Sequence, residues 1–205
     1  LILVAEDNDI NQKVIRQQLN LLGYAADIAN DGREALKRLQ NCNYALLLTD
    51  LHMPEMDGFE LTKEIRLAES GQKHIPIVAL TANALKGERE HCLNAGMDNY
   101  LSKPVQLEDL RRVLEQYLSV NKSATEAESA TFTATNEAKT NMAPVNVHVL
   151  EELVGDDPAM IQEMLLDFRA SAEKIAIELH TAYQAAQFTT AGALAHKLKS
   201  SSRSV

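Results

Sequence analysis

Four short strand-like runs in this sequence each end in residues that could do chemistry. Leu1–Ala5 runs into Glu6-Asp7, Ala45–Leu48 into Thr49-Asp50, Ile75–Leu80 into Thr81, and Asn99–Ser102 into Lys103-Pro104. A carboxylate at the end of a buried strand is costly unless it is paired or ligates a cation. Glu6, Asp7 and Asp50 brought to one edge would repel, by about 4 kcal/mol for unit charges about 4 Å apart at an effective dielectric of ~20. A hard divalent cation removes that repulsion, and Mg²⁺ suits a site with few carboxylates, several waters and phosphate oxygens. Lys103 adds a positive charge and Thr81 a hydroxyl donor, as a transferring phosphoryl group requires around its equatorial oxygens. In that setting Asp50 is a nucleophile whose product is an acyl phosphate. Taken singly, each residue has an ordinary reading: Asp50 capping a turn, Lys103 solvated, Thr81 an N-cap, Tyr100 in the core. The joint placement is what points to chemistry.

A second candidate is His196, in Ala195-His196-Lys197-Leu198-Lys199-Ser200-Ser201. On a helix, Lys199 and Ser200 lie three and four residues on, above His196 on the same face. Leu194, Leu198 and Val205 are expected to point elsewhere, into a bundle. An exposed imidazole with an ordinary pKa is largely neutral at pH 7, hence nucleophilic. Lys199 would neutralise phosphoryl oxygens, and the small Ser200 would leave room for a partner's site to approach. His74, His91, His148 and His180 have no such company and are given no role.

The elements that must position these residues follow from periodicity. Leu1–Ala5 and Ala45–Leu48 are apolar runs of the kind that form strands buried on both faces. Pro54 forbids continuing the ladder beyond Asp50, and Asp57-Gly58 starts a helix with Asp57 as its cap. Helical spacing marks Ile10–Leu22, capped by Asn8 or Asp9 and stopped by Gly23, then a helix carrying Ala35, Leu36 and Leu39. Further helices are expected over about Phe59–Leu67 and Leu85–Ala95, and one carries Leu107 to Leu118. Strands are expected at Tyr24–Ala29, Ile75–Leu80 and Asn99–Ser102. Five alternations of strand and helix within 118 residues predict a parallel, doubly wound α/β sheet with right-handed crossovers.

Residues 121–142 break this pattern. They are rich in Ala, Thr, Ser, Glu, Asn and Lys, hold Phe132 as their one aromatic, and show no apolar period, which predicts a flexible linker. From Pro144 the period is helical. Val147 to Val154 predicts a short helix closed by Gly155, and Asp157-Pro158 caps a long helix that runs to Tyr183. A break is expected at Phe188-Thr189-Thr190, then one more helix inside which the chain stops. The boundaries are therefore 1–119 for the α/β domain, 120–145 for the linker and 146–205 for an all-α, partial four-helix-bundle segment lacking its last helix and exposing apolar surface.

Composition excludes several classes. The 205 residues carry a formal net charge of −9, which argues against a nucleic-acid-binding surface. No apolar run approaches a membrane span. The chain opens in a strand without Met or a signal peptide, so it reads as a piece of something longer. Cys42 and Cys92 read as reduced thiols of a cytosolic protein.

With Glu6-Asp7, LTDLHMPEMDG around Asp50, Thr81 and Lys103-Pro104 all on strand ends, residues 1–118 resemble a receiver domain of the two-component response-regulator family. The resemblance implies that Asp50 is the phosphoacceptor. It implies Mg²⁺ held by Asp7, Asp50 and the backbone carbonyl of His52, with Glu6 acting through water. It also implies that Thr81 turns toward the phosphoryl group and that Tyr100 changes rotamer with it. The stretch HKLKSS resembles the motif of histidine-phosphotransfer (HPt) domains, with Ser200 where glycine is commoner. Receiver, linker and HPt segment together resemble the C-terminal part of a hybrid sensor histidine kinase. That resemblance implies a relay in which a kinase histidine of the parent protein phosphorylates Asp50, the group passes to His196, and then to a downstream response regulator. It implies a cytoplasmic portion of a membrane-bound kinase, with no kinase catalytic domain, no nucleic-acid partner and no direct membrane contact in this chain.

Three rival readings differ in checkable ways. An aspartate-nucleophile phosphatase needs a second aspartate two residues after the nucleophile, where this chain has His52. An FMN binder of the flavodoxin type wants a Ser/Thr/Gly-rich phosphate loop after the first strand, where Glu6-Asp7 would repel phosphate. The third is a stand-alone interaction module whose helices are a dimerisation scaffold and whose His196 relays nothing.

Overall fold

The computed structural model describes residues 1–69, 74–82, 86–118, 150–151, 155 and 157–202. The apolar runs form β1 (Ile2–Ala5), β3 (Leu46–Asp50) and β4 (Ile77–Thr81), every residue of which is buried. β2 (Ala26–Ala29) and β5 (Asn99–Ser102) flank them. All neighbouring pairs are parallel, in the order β2-β1-β3-β4-β5. Helices α1 (Asp9–Leu21), α2 (Gly32–Asn41), α3 (Gly58–Ala68), α4 (Lys86–Asn94) and α5 (Leu107–Leu118) alternate with the strands. This is the predicted five-stranded, doubly wound, flavodoxin-like sheet.

Alternation along each strand divides the core in two. Leu3, Ala5, Leu47 and Ala79 face one layer with Leu61, Ile65 and Cys92 from α3 and α4. Ile2, Val4, Leu46, Leu48, Val78 and Leu80 face the other with Ile15, Leu19, Leu110 and Leu114 from α1 and α5. Burial on both faces is why these strands carry almost no polar residue before their last positions.

Two strands start later than expected. Tyr24 still donates its N–H to the Leu19 carbonyl, closing α1 at 2.8 Å, so β2 starts only at Ala26. The Ile75 N–H goes to the Glu69 carboxylate at 2.7 Å and Pro76 has no N–H, so β4 begins at Ile77.

Two further helices, α6 (Pro158–Gln184) and α7 (Phe188–Ser202), pack on one another. Asp157 caps α6 by accepting from the Ala159 and Met160 amides, with Pro158 in the first turn as predicted. The break between them falls at residues 185–187, and Phe188–Thr190 instead opens α7. Ala186 takes the left-handed conformation (φ 56°), and the Gln187 N–H reaches back to the Ala182 carbonyl at 2.9 Å. That closure satisfies the end of α6, which glycine usually provides and composition did not signal here. Leu166, Ile177, Tyr183 and Phe188 remain more than half exposed. Of the short helix expected over 147–154, Leu150 and Glu151 are helical and Gly155 has φ 86°; the rest of it, the linker at 120–145, His148 and Val205 lie outside the described residues.

Candidate functional site

The strand order reverses direction between β1 and β3, and the crevice outside the carboxyl ends of those strands is where open α/β sheets bind ligands. Glu6 and Asp7 follow β1 directly and Asp50 ends β3, so the sequence delivers three carboxylates to that crevice. One oxygen from each lies within 4.8 Å of the others. Glu6 and Asp50 are almost wholly buried, while Asp7 is partly exposed.

Lys103, just past β5, reaches across to the cluster. Its Nζ donates to Glu6 Oε2 at 2.5 Å and to Asp50 Oδ2 at 2.6 Å. Burial alone would lower the lysine pKa, but Glu6 and Asp50 outweigh it and the net shift is upward, so the ammonium stays charged. Burial pushes the Glu6 carboxyl up to about 7, against the pull of Lys103, and the Asp50 charge adds to the rise. Asn11 Nδ2 donates to Glu6 Oε1 at 2.9 Å and the Asn8 amide at 3.3 Å. Asp7 is raised by burial and by Asp50, with Lys197 opposing.

The loop after β3 is built around a close approach. A Cβ on Gly58 would meet the Asp50 carbonyl oxygen at 2.3 Å, so only glycine fits where α3 begins. The Gly58 N–H donates to the Leu51 carbonyl at 3.1 Å, and Asp57 caps the helix by accepting from Glu60 N–H at 2.8 Å. The His52 N–H donates to Asp50 Oδ1 at 3.2 Å, which fixes the carboxylate's orientation. Thr81 is buried at the end of β4, its carbonyl accepting from the Lys103 N–H at 2.7 Å. Tyr100, half-buried on β5, stands opposite Ala79 and packs against the core layer that contains it.

The donor set fits a hard divalent cation: three carboxylates, two of them buried and partly neutralised by Lys103. Asp7 and Asp50, with Glu6 behind them, could hold it.

The helical segment meets this edge. His196 on α7 is exposed, its ring centroid 5.4 Å from that of His52. Asp7, Asp50 and Asp57 on one side and His196 on the other line a common cleft of about 440 Å³. Leu194, half-buried, lines this cleft too. The lysine at the acidic edge is Lys197, whose Nζ donates to the Asp7 carbonyl at 2.9 Å and lies 3.9 Å from its carboxylate. Lys199 is exposed, and the Ser200 side chain lies outside the described residues. Reasoning along one helix passes over Lys197, because the residue after His196 is turned about 100° away on the wheel. Its partner belongs to another domain.

Residues 2–115 match the family model described as the response regulator receiver domain. The sensor protein EvgS of Escherichia coli K12 is 36% identical over 184 residues, 90% of this chain and 14% of its own. The sensor histidine kinase RcsC of the same organism is 43% identical over 117 residues, 57% of this chain and 12% of its own. The chain spans between 3% and 15% of the length of the curated relatives it matches. Among solved structures, it is similar to the receiver domain of sensor histidine kinase PA1611 of Pseudomonas aeruginosa PAO1, which has a magnesium ion coordinated in its active-site cleft. The TM-score is 0.53 at 43% identity, covering 58% of this chain and 96% of that one. It is also similar to a chain of the Saccharomyces cerevisiae complex between the histidine phosphotransfer protein Ypd1 and the receiver domain of Ssk1. There the TM-score is 0.54 at 30% identity, covering 57% of this chain and 86% of that one.

Proposed function

The chain belongs to the response regulator receiver family, and from that premise we propose that it is a phosphorelay module in which Asp50 and His196 exchange a phosphoryl group. The observation that carries the reading is the cleft lined by Asp7 and Asp50 on one wall and by His196 on the other, with Lys103 bonded to Asp50 and to Glu6 behind that acidic pair. Asp50 Oδ attacks the phosphorus of a phosphohistidine on the parent kinase; a P–O bond forms, the P–N bond breaks, and the imidazole leaves with the electron pair. In the second step a ring nitrogen of His196 attacks the acyl phosphate and the Asp50 carboxylate leaves. Phosphohistidine then passes the group to the aspartate of a separate response regulator.

Each residue has a distinct task. The His52 amide orients Asp50. Lys103 balances the acidic pair and faces the phosphoryl oxygens, and Thr81 donates to one of them, with Tyr100 following its rotation. Asp7, Asp50 and the His52 carbonyl, with Glu6 through water, would hold Mg²⁺, which supplies charge neutralisation at the phosphoryl oxygens when bound. On the acceptor side, Lys197 and Lys199 lower the charge around His196, and the small Ser200 leaves space beside it. The boundaries 1–119, 120–145 and 146–205 and a cytoplasmic location fit this role.

The test is labelling by a small acyl-phosphate donor with and without Mg²⁺. The expected result is a Mg²⁺-dependent, base-labile label that is absent in Asp50→Asn. Equal labelling of Asp50→Asn would overturn the assignment.

A further inference from the structure

We propose that the helical segment docks on its own receiver domain, so that the exchange between Asp50 and His196 takes place within one chain. This inference rests on the relay reading for its consequence, although the docking itself stands on separate contacts.

The first is apolar. Val14 on α1 is 6% exposed, yet it belongs to neither layer of the receiver core. It is covered by Leu150, Ile161 and Met164, each at most 6% exposed and all from the helical segment. The second is a charged clamp: Lys13 on α1 pairs with Asp167 and lies 4.0 Å from Glu163, both on α6. The third is at the site, where Asn8 Nδ2 donates to the Lys197 carbonyl at 3.3 Å and Lys197 Nζ to the Asp7 carbonyl.

The polarity of these contacts fixes the orientation. A receiver cation meets helical carboxylates at the α1 end, and a helical cation meets a receiver carboxylate at the sheet edge. Turning the segment around would set Lys197 against Lys13 and Asp167 against Asp7. Complementary charge of this kind selects register and partner more than it adds affinity. The 31 residues numbered 119–149 join Leu118 to Leu150, a reach of up to about 100 Å. Tethering gives an effective concentration of order 1 mM, so a weak surface is enough for docking within a chain.

Two variants of this 205-residue chain separate transfer within a chain from transfer between chains. His196→Gln keeps Asp50 and is labelled first; Asp50→Asn keeps His196 and is added to it. The expected result is a wild-type transfer rate unchanged over an about hundredfold range of chain concentration, and a mixed pair that is slower and speeds up with concentration. A wild-type rate that rises with concentration, or a mixed pair as fast as wild type at the lowest concentration, would overturn the proposal. Asp167→Lys is expected to slow wild-type transfer by about three- to tenfold with Asp50 labelling unchanged, and Lys13→Glu in the same chain to restore it. Docking is also read without transfer, from the amide resonances of Asp7 and Asn8, which lie at the Lys197 contact and away from both substituted positions. They are expected to move in Asp167→Lys and return in the double variant; identical resonances in all three chains would overturn the docking. If they move as expected while no acid-labile label ever forms, docking stands and it is the relay reading that fails.

Discussion

Lys103 Nζ stands 2.6 Å from Asp50 Oδ2, which ties the end of β5 to the end of β3 across the intervening β4. The same ammonium holds Glu6, just past β1. One side chain thus closes the acidic edge of the sheet, and both its stability and its chemistry depend on that closure.

Removing the ammonium leaves two buried carboxylates without a cation. Lys103→Met is expected to lower stability by about 3–5 kcal/mol near neutral pH, the range for breaking a buried ion pair by removing one partner. The loss is larger at pH 8 than at pH 6, because Glu6 takes up a proton as pH falls and relieves the repulsion. Urea unfolding at the two pH values measures it, and an equal loss at both contradicts the account. Labelling of Asp50 by a small donor falls by about ten- to hundredfold in the same variant, from the lost charge at the phosphoryl oxygens.

Glu6 sets a pH dependence whose sign runs against the usual carboxylate. Its folded pKa is raised to about 7 from the ordinary 4.5, so the folded chain holds the proton more tightly than the unfolded one. Stability from this group is greatest below about 4.5 and declines as pH rises through about 7. Glu6→Gln flattens that decline. Because Asp7 is raised as well, Mg²⁺ must displace protons to bind, so its stabilising effect is greater at pH 8 than at pH 6. Thermal melts with and without Mg²⁺ across this range provide the check.

Lys197 places a cation 3.9 Å from the Asp7 carboxylate, beside the space a divalent ion would fill. Lys197→Ala is expected to tighten Mg²⁺ binding by about two- to fivefold at pH 8, a modest change because the lysine is partly solvated and screened. Calorimetric titration reads it. Weaker binding in the variant would mean that Lys197 organises the site rather than competing at it.

Gly58 supports Asp50 by lacking a side chain. Gly58→Ala drives a methyl group into the Asp50 carbonyl, 2.3 Å from where Cβ would lie. A backbone oxygen cannot yield as a flexible side chain can, so a loss of about 3 kcal/mol or more is expected, with Asp50 labelling reduced alongside. Near-wild-type unfolding of this variant would contradict the close approach.

The α/β half of the chain was legible because its signals are local. Fully apolar runs identify strands covered on both faces, and Pro54, Gly58 and Gly96 punctuate them. Glu6, Asp50 and Lys103 were readable together because a parallel sheet must bring strand ends to one edge. The caps Asp57 and Asp157 followed from residue type and position, and Asn8 is the cap where Asn8 and Asp9 were both open. The left-handed Ala186 had no such signal, since alanine favours helix. Least legible was the surface between the two parts. Lys13 and Asp167 are 154 positions apart, and no period within α1 or α6 says that they meet. Lys197 was passed over for the same reason.

The central claim is that a phosphoryl group moves between Asp50 and His196. The most direct measurement follows the chemistry of the label in the full chain over time after labelling by a small acyl-phosphate donor with Mg²⁺. The account predicts a base-labile label that declines as an acid-labile one appears, and no acid-labile label in His196→Gln. A label that stays base-labile until it is lost to hydrolysis, with wild type and His196→Gln indistinguishable, would contradict it.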